Sequence, residues 1–561
     1  MKKIIIALLG LVLVLVLVLR GIPYFINIYL NNNADRIVSN MITRTSGFGN
    51  HEVTFGKIKL DYNYFGTFLS IEDISIQPTE EIHSDQVKVS LRLEEAKISG
   101  FRWKSFLLDN SIQVDSARLE NLTILSVTPP MDSLNIENGE EDHDNEEKPE
   151  TRDYDAISVR IISLQNLNLE NKDSKTDSIR MSLQNLSVNA EGFVLTKEDI
   201  QTETALFSVD LIHGKIEQVQ IHFDEFRQMA EVKNLHFDTA DKNMKIGDFS
   251  ILNKLGKYAY TQSFEKRKAW LQLKNGSLDI KGMNFQEYFR NGIIEIDSLL
   301  VKDIKLESFM NKLIPDNYGR RPPMAHEAFG ILDFPVNIKN TVIKNSHIHI
   351  EEQPDNGAPT SGYLYFSDLN AVVGAISNMD KVNQEKYELN IEAQAMLMGK
   401  GKINLTVKYD LADTLGSFQL KGNLGKIDLT EINKIVEPEA KVSLKSGTIN
   451  RLDFNIHAND FDGTGEVIVR YDNLEIEILN KDFEKDQNIF RKIGSFLANK
   501  VVIKSQNPRK NGDLQKGVVY TQRLKHKSEF NYWWRLVFSG LKSTLTGDDL
   551  ETLKKKENEN K

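Results

Sequence analysis

The sequence has no cysteine, only 13 prolines and 4 tryptophans in 561 residues, and no surplus of basic side chains. Each absence closes a class of explanation. Without cysteine there is no disulfide framework, thiol nucleophile, iron–sulfur cluster or thiolate zinc site. Glycine and proline are too scarce for a collagenous chain, and 40% hydrophobic content is too high for a wholly disordered one. With 70 Lys+Arg against 80 Asp+Glu the formal charge is −10, which argues against a general nucleic-acid binder. No phosphate-cradling loop, nucleophile elbow or His-Glu-x-x-His helix occurs either. What the length does allow is several cores of ordinary size.

Only one long apolar run is present. Residues 4–19 carry no charge and as a helix would rise about 24 Å, slightly short of a full span. Arg20 can snorkel, and Ile22, Tyr24, Phe25, Ile28, Tyr29 and Leu30 supply an aromatic-rich interfacial continuation. Lys2 and Lys3 precede the run, so the positive-inside tendency puts the N-terminus in the cytoplasm and exports the rest. Arg20-Gly21-Ile22-Pro23 lacks the small-x-small signature of a cleavage site, so residues 1–30 read as an uncleaved, single-pass anchor. A short helix is expected at 33–42.

Beyond it the chain reads as strands. Two alternating apolar positions, two polar residues and two more alternating apolar positions recur nine times, as in Leu69, Ile71, Ile74, Ile76; Ala117, Leu119, Leu122, Ile124; and Ile162, Leu164, Leu167, Leu169. The second polar residue is Asp73, Asn121, Asn166, Asn185, Asn234, Asp303, Asp368 or Asn473 in eight of them. Simple alternation buries one face of a strand, and one extra residue would send the second apolar pair to the wrong face. A bulge or bend can absorb that residue, and Asn and Asp tolerate the helical conformations it requires. The repeat therefore predicts long, one-sided strands, each twisted at its middle. Copies are irregularly spaced, which excludes a solenoid or propeller of fixed period.

The expected fold is mainly β: an elongated, twisted antiparallel sheet coiled into a groove. At about 4.8 Å per strand, roughly 25 to 30 strands would extend ~120 to 140 Å. An apolar lining of that extent must be covered by protein or by something else apolar. In an anchored, exported protein acyl chains suit that role, with an ordinary sandwich core as the alternative. Candidate lining residues are Leu69, Ile71, Ile74, Ile76, Leu122, Ile124, Leu167 and Leu169.

Two segments resemble the AsmA-like family of envelope proteins. One is the N-terminal order of anchor, short helix and Ser46-Gly47, followed by VTFGKIKLDYNYFGTFLSIEDISIQP at 53–78. The other is LKSGTINRLDFNIHANDFDGTGEVIVRYDNLEIEIL at 444–479, similar to the family's strand-turn-strand block ending in a Tyr-Asp-x-Leu element, here Tyr471, Asp472 and Leu474. The resemblance implies a repeating β-groove protein anchored in a bacterial inner membrane, with its body in the periplasm. It implies phospholipid movement between inner and outer membranes, and support of outer-membrane biogenesis and integrity. Membrane lipids and an outer-membrane or envelope protein are the partners it implies. Assembly of outer-membrane proteins is a neighbouring role in the family, and a structural tether with a closed core is a further reading. A parallel β-helix enzyme or adhesin acting on polysaccharide is less favoured, because regular coil lengths are missing. No catalytic residue, metal or cofactor is expected. His347 and His349 share a strand face but have no obvious third ligand and read as a surface pair.

Helical periodicity returns near the end. Residues 486–501 form one amphipathic pattern. A sharper one places Phe530, Trp533, Trp534, Val537, Phe538 and Leu541 on one stripe. Around it, nine Lys and Arg between 504 and 542 oppose Asp513 and Glu529. This combination suits the interface of an anionic bilayer, and it also suits a helix that covers the last open edge of the sheet. The domain reading is thus an anchor at 1–30, a β-groove body at 31–480, a helical and strand cap at 481–545 and a disordered tail at 546–561. Within the body, residues 136–155 carry ten acids against Lys148 and Arg152 and read as a disordered loop holding most of the net charge.

Overall fold

The computed structural model describes residues 51–63, 66–79, 87–129, 155–197, 208–328, 331–332, 334–379, 388–411, 413–480, 483 and 504–559. The expected anchor, the helix at 33–42, nearly all of the acidic run and the pattern at 486–501 lie outside them. Among the described residues no helix is long and apolar enough to cross a membrane. The chain is mainly β, as expected, and divides into two compact units. The first runs to Phe226 and includes Ala230–Ile246 and Phe285–Gly292; the second comprises Arg227–Met229, Gly247–Asn284 and everything from Ile293 on.

In the first unit β1 (His51–Thr54) and β2 (Ile58–Asn63) both pair with one side of β3 (Gly66–Pro78). Then β4 (Lys88–Phe101), β5 (Ser111–Thr128), β6 (Ala156–Asp173), β7 (Ile179–Thr196) and β8 (Leu211–Phe223) follow side by side in chain order. Most of β9 (Gln228–Asp238) also belongs here. The pairing of β5 with β6 is parallel, Ser111 opposite Ala156 and Thr128 opposite Asp173. An all-antiparallel sheet is therefore corrected to a mixed one. Parallel neighbours need a crossover connection, and the chain between Thr128 and Ala156 is long enough to make it; side-chain patterning is the same for either direction.

All eight Asn and Asp residues of the repeat have positive φ, from 51° to 60°. The ninth copy, on β4, has Glu95 at that position without positive φ. Neighbouring strands kink at the same level. Glu72 pairs with Glu95 and Ile74 with Leu93, so Asp73 lies opposite Glu94 without loss of register. Glu95 pairs with Glu120 and Leu93 with Leu122, which sets Glu94 opposite Asn121. Between β6 and β7 two register shifts, one on each side of Leu167 opposite Leu186, compensate each other. The extra residue of each strand is thus absorbed by a bend that the strands share.

The bend frees backbone groups, and side chains two residues beyond the kink take them up. The Asn185 amide donates to Asn168 Oδ1 (3.1 Å), and the Asn166 amide to Ser187 Oγ (3.4 Å). On the polar face Asn166 donates to Asn121 Oδ1 (3.0 Å), Asn121 donates to Glu94, and Asn185 to Glu217. The kink residues therefore form a hydrogen-bonded row across β4 to β8.

The second unit begins with most of β10 (Asn243–Asn253) and continues with β11 (Trp270–Lys281), β12 (Ile294–Ile296), β13 (Ser298–Lys302), β14 (Lys305–Asn311), β15 (Val336–Ile338), β16 (Thr341–Gln353), β17 (Gly362–Val373), β18 (Ile376–Ser377) and β19 (Glu388–Leu397). Next come β20 (Gly401–Asp410), β21 (Phe418–Leu424), β22 (Ile427–Asp428), β23 (Val442–Ala458), β24 (Asp462–Ile478) and β25 (Gly517–Gln522). β11 pairs antiparallel with both β13 and β14, which in turn run parallel to β16. From β16 the order is β17, β19, β20, β21, β23, β24 and β25, all antiparallel. β12, β15 and β18 form a separate small sheet.

The longest helices among the described residues of this unit are α1 (Asn433–Ala440), α2 (Glu529–Thr546) and α3 (Leu550–Glu559). α2 starts where Ser528 accepts from the Asn531 amide and stops at Gly547, whose φ of 74° suits a glycine. α3 corrects the expected disordered tail. LETLKKKENE is rich in good helix formers, Leu553 is buried, Glu557 meets Thr521 and Arg535, and Lys556 meets Asp548.

Candidate functional site

The eight candidate lining residues share one face of the first unit. In register, Leu93 meets Ile74 and Leu122, Leu91 meets Ile76 and Ile124, Ile124 meets Leu169, and Leu167 meets Leu186. Their burial differs along the face. Ile71, Ile74, Ile76 and Leu122 are buried in one cluster with Leu93 and Ala96, against which Val53, Phe55 and Ile58 pack. Leu69, Ile124 and Leu167 are half-buried at its margin, and Leu169 is half-buried beyond it. On β7 the repeat residues Met181, Leu183, Leu186 and Val188 are likewise half-buried, and on β8 Ile221 and Phe223 are exposed. The β3 end of this face is core, while its β6 to β8 end is partly accessible.

In the second unit the same kind of face is closed. Leu420, Ile456, Val467 and Val469 are at most 2% exposed within one cluster that also takes Tyr532 and Leu536 from α2. α2 covers the edge of the sheet through alternate residues of β25. Ser543 donates to the Val518 carbonyl (2.7 Å), Ser539 to that of Tyr520 (2.8 Å) and Arg535 to that of Gln522 (2.6 Å), while Ser539 Oγ accepts from the Tyr520 amide (3.2 Å). Small residues allow the approach: a Cβ on Gly540 would overlap Val467, and one on Gly517 would overlap the Gly540 carbonyl. An edge strand's unpaired groups are thereby satisfied within the chain.

The expected aromatic stripe is split by this packing. Trp533, Val537 and Leu541 pack against the core, whereas Phe530, Trp534 and Phe538 are exposed, the last two stacked at 5.7 Å. The basic count around it also changes. Arg523, with its side chain fully buried, and Lys525 both pair with Asp460; Lys527 pairs with Asp316, Arg535 with Glu557 and Lys516 with Glu466. Local counting missed these partners because they come from distant segments. Behind the start of α2, Glu529 accepts from the Tyr409 hydroxyl and from the Ala325 amide (2.9 Å). Burial raises its carboxyl above the usual range against these hydrogen bonds, and burial raises the Tyr409 phenol as well.

A cavity of about 810 Å³ lies in the second unit, with Asp303, Asn345, Asp368, His347 and His349 among its walls beside Trp270 and Phe309. Here the kink row recurs: Asn345 donates to Asp303 (2.5 Å), and its amide donates to Asn370 Oδ1 (3.2 Å). Asn275 and Asn345 have positive φ like the eight repeat residues. The sequence pattern passed over both because Gly276 and Ser346 stand where the third apolar residue should be. His347 and His349 do share a face, each stacked on a tyrosine, Tyr365 and Tyr363. Burial, His349 and Lys305 hold the His347 ring below its usual pKa. Among the described residues no group of three or more His, Asp or Glu is set to hold a metal ion.

No protein-family model matches the sequence, and no curated protein matches it.

Proposed function

We propose that this chain is a non-enzymatic, single-pass envelope protein that binds phospholipid acyl chains along the apolar face of its kinked strands and helps move lipid between two membranes. The observation that carries this reading is the half-buried run of repeat residues on β6 and β7, Leu167, Leu169, Leu183 and Leu186, on strands whose other face is a hydrogen-bonded polar row. An acyl chain laid on such a face is shielded at about 0.8 kcal/mol per CH₂, while its headgroup stays in water. The N-terminal apolar run as an inner-membrane anchor, and the AsmA-like segments at 53–78 and 444–479, support the same reading. It makes the location a bacterial inner membrane with the body in the periplasm, and the benefit outer-membrane integrity. A structural tether or assembly factor is the second reading, favoured by the closed core around Val467 and Leu536.

A photo-crosslinking residue placed at Leu169 in the full chain, extracted from membranes and analysed by mass spectrometry, should capture phospholipid; the same residue at the exposed Asn166 should not. Ile124→Asp and Leu167→Asp should lower the captured lipid and raise outer-membrane permeability. Equal capture at both positions, or folded variants with full function, would defeat the conduit and favour the tether.

A further inference from the structure

We infer that one end of the second unit is a docking surface for an anionic lipid bilayer, built from loop tips rather than from the helical stripe. Three turns converge there: β20 to β21, β23 to β24, and β25 to α2. The Asp460 amide donates to the Leu415 carbonyl (3.0 Å) and the Arg523 amide to the Phe461 carbonyl (2.8 Å), so the turns are tied to one another. Each presents one large apolar side chain to water, Leu415 at 49%, Phe461 at 58% and Leu524 at 40% exposure, and Phe530 at 69% opens α2 at the same end. Glu529, beside it, is held by the Ala325 amide, and a Cβ on Gly416 would overlap His326, so the segment around 325 closes the same end.

Asp460 is gathered in by Arg523, Lys525 and Arg321, with 14% of its side chain exposed against 41% for Lys525 and 56% for Arg321. Lys525 lies 4.4 Å over the Phe461 ring, and Arg320 is exposed. Apolar tips at the surface, with Arg320, Arg321 and Lys525 beside them and Asp460 drawn inward, match a bilayer interface, where rings enter the headgroup layer and cations meet anionic lipid. Separate wedges on four elements fit a fluid surface better than the continuous, flat apolar centre of a protein interface. This surface lies outside the proposed lipid-carrying face, and it stands even if that face carries nothing.

The test holds the full chain in a zwitterionic nanodisc through its own N-terminal segment and measures capture of protein-free vesicles by co-flotation. Vesicles of phosphatidylcholine with phosphatidylglycerol should be captured, and pure phosphatidylcholine vesicles about tenfold less. Phe461→Asp with Leu415→Asp should abolish capture, and Arg320→Glu with Lys525→Glu should weaken it about tenfold on anionic vesicles only. Leu108→Asp, at a 74% exposed apolar residue of the first unit, should leave it unchanged. Thermal melting checks that each variant is folded, and Phe461→Ser is the milder substitute should the double variant not fold. No capture by the wild type, capture indifferent to these substitutions in folded variants, or capture only by vesicles that carry envelope proteins would each overturn the proposal, the last in favour of a protein partner.

Discussion

β6 and β24 carry the same repeat with the same kink, Asn166 at φ 56° and Asn473 at φ 52°, and their apolar residues meet different surroundings. Val467 and Val469 of β24 are almost wholly buried under α2, while Leu164, Leu167 and Leu169 of β6 are half-buried. The kink decides which face is apolar. What packs on that face decides whether it is core or accessible surface, and that depends on a helix and small residues far away in sequence. Identical patterning can therefore serve stability in one unit and, in our proposal, ligand binding in the other.

The sharpest way to break this contrast is to place a carboxylate on each face. Val467→Asp buries an unpaired charge or forces α2 away and should cost about 4 kcal/mol or more, enough to unfold the second unit. Leu167→Asp leaves its carboxylate within reach of water and should cost only about 1–1.5 kcal/mol. Urea denaturation followed by hydrogen exchange, peptide by peptide, separates the two units; equal losses would remove the distinction between closed and accessible faces. Next in size is the cover itself. Gly540→Val should lift α2 from β24 and β25 at about 2–4 kcal/mol, lowering the melting temperature of the second unit and speeding proteolysis between β25 and α2. The first unit should not respond.

The kinks should behave alike in both units. Asn166→Ala and Asn473→Ala place an alanine at positive φ, and the first also removes the bond to Asn121, so each should cost about 1–2 kcal/mol. Glycine relieves the backbone part, so Asn166→Gly should cost less than Asn166→Ala in the same melt. A reversed order would mean that the positive φ is not what these positions require.

The smallest effect is a difference in acid response. Arg180 and the Thr176 amide hold the Asp173 carboxyl of the first unit down to about 2. Its folded value is depressed, so its contribution is complete above the ordinary value of 3.8 and is lost as pH falls toward about 2. Glu529 of the second unit is raised by burial, so the protonated form is favoured in the fold. Stability there should increase as pH falls through its raised value toward the ordinary 4.5. Trp103 belongs to the first unit and Trp270, Trp533 and Trp534 to the second. Asp316, Glu327, Glu351, Asp413, Asp428 and Asp549 of the second unit are lowered and oppose Glu529, so each group is read as a difference by tryptophan fluorescence. Wild type should gain on Glu529→Gln as pH falls toward 4.5 and lose its lead over Asp173→Asn as pH falls from 3.8 toward about 2; differences of the same sense would contradict these two assignments.

Much of this architecture was legible residue by residue. Asp73, Asn121, Asn166 and their counterparts announced the kinks, because an Asn or Asp between two alternating apolar pairs has one economical solution, a left-handed residue that returns the second pair to the same face. Asn275 and Asn345 escaped because Gly276 and Ser346 break the apolar spacing while the backbone keeps the bend. Parallel pairing of β5 with β6 escaped because alternation is blind to strand direction. The candidate lining residues share one face in register, but Ile71 and Ile74 lie in the core, with Val53, Phe55 and Ile58 packed against their cluster, while Leu169 is half-buried outside it.

Residue order alone sets which face of each strand is apolar, since side-chain direction follows from local backbone geometry and period. It also determined where the strands bend and that α2 is a helix with a broad apolar side. Packing in three dimensions settles which of those faces is covered, how α2 divides Trp533 from Trp534, and which acids pair with the C-terminal cations. Burial and charge pairing are relations between segments 22 to 211 residues apart here, and no local pattern encodes them.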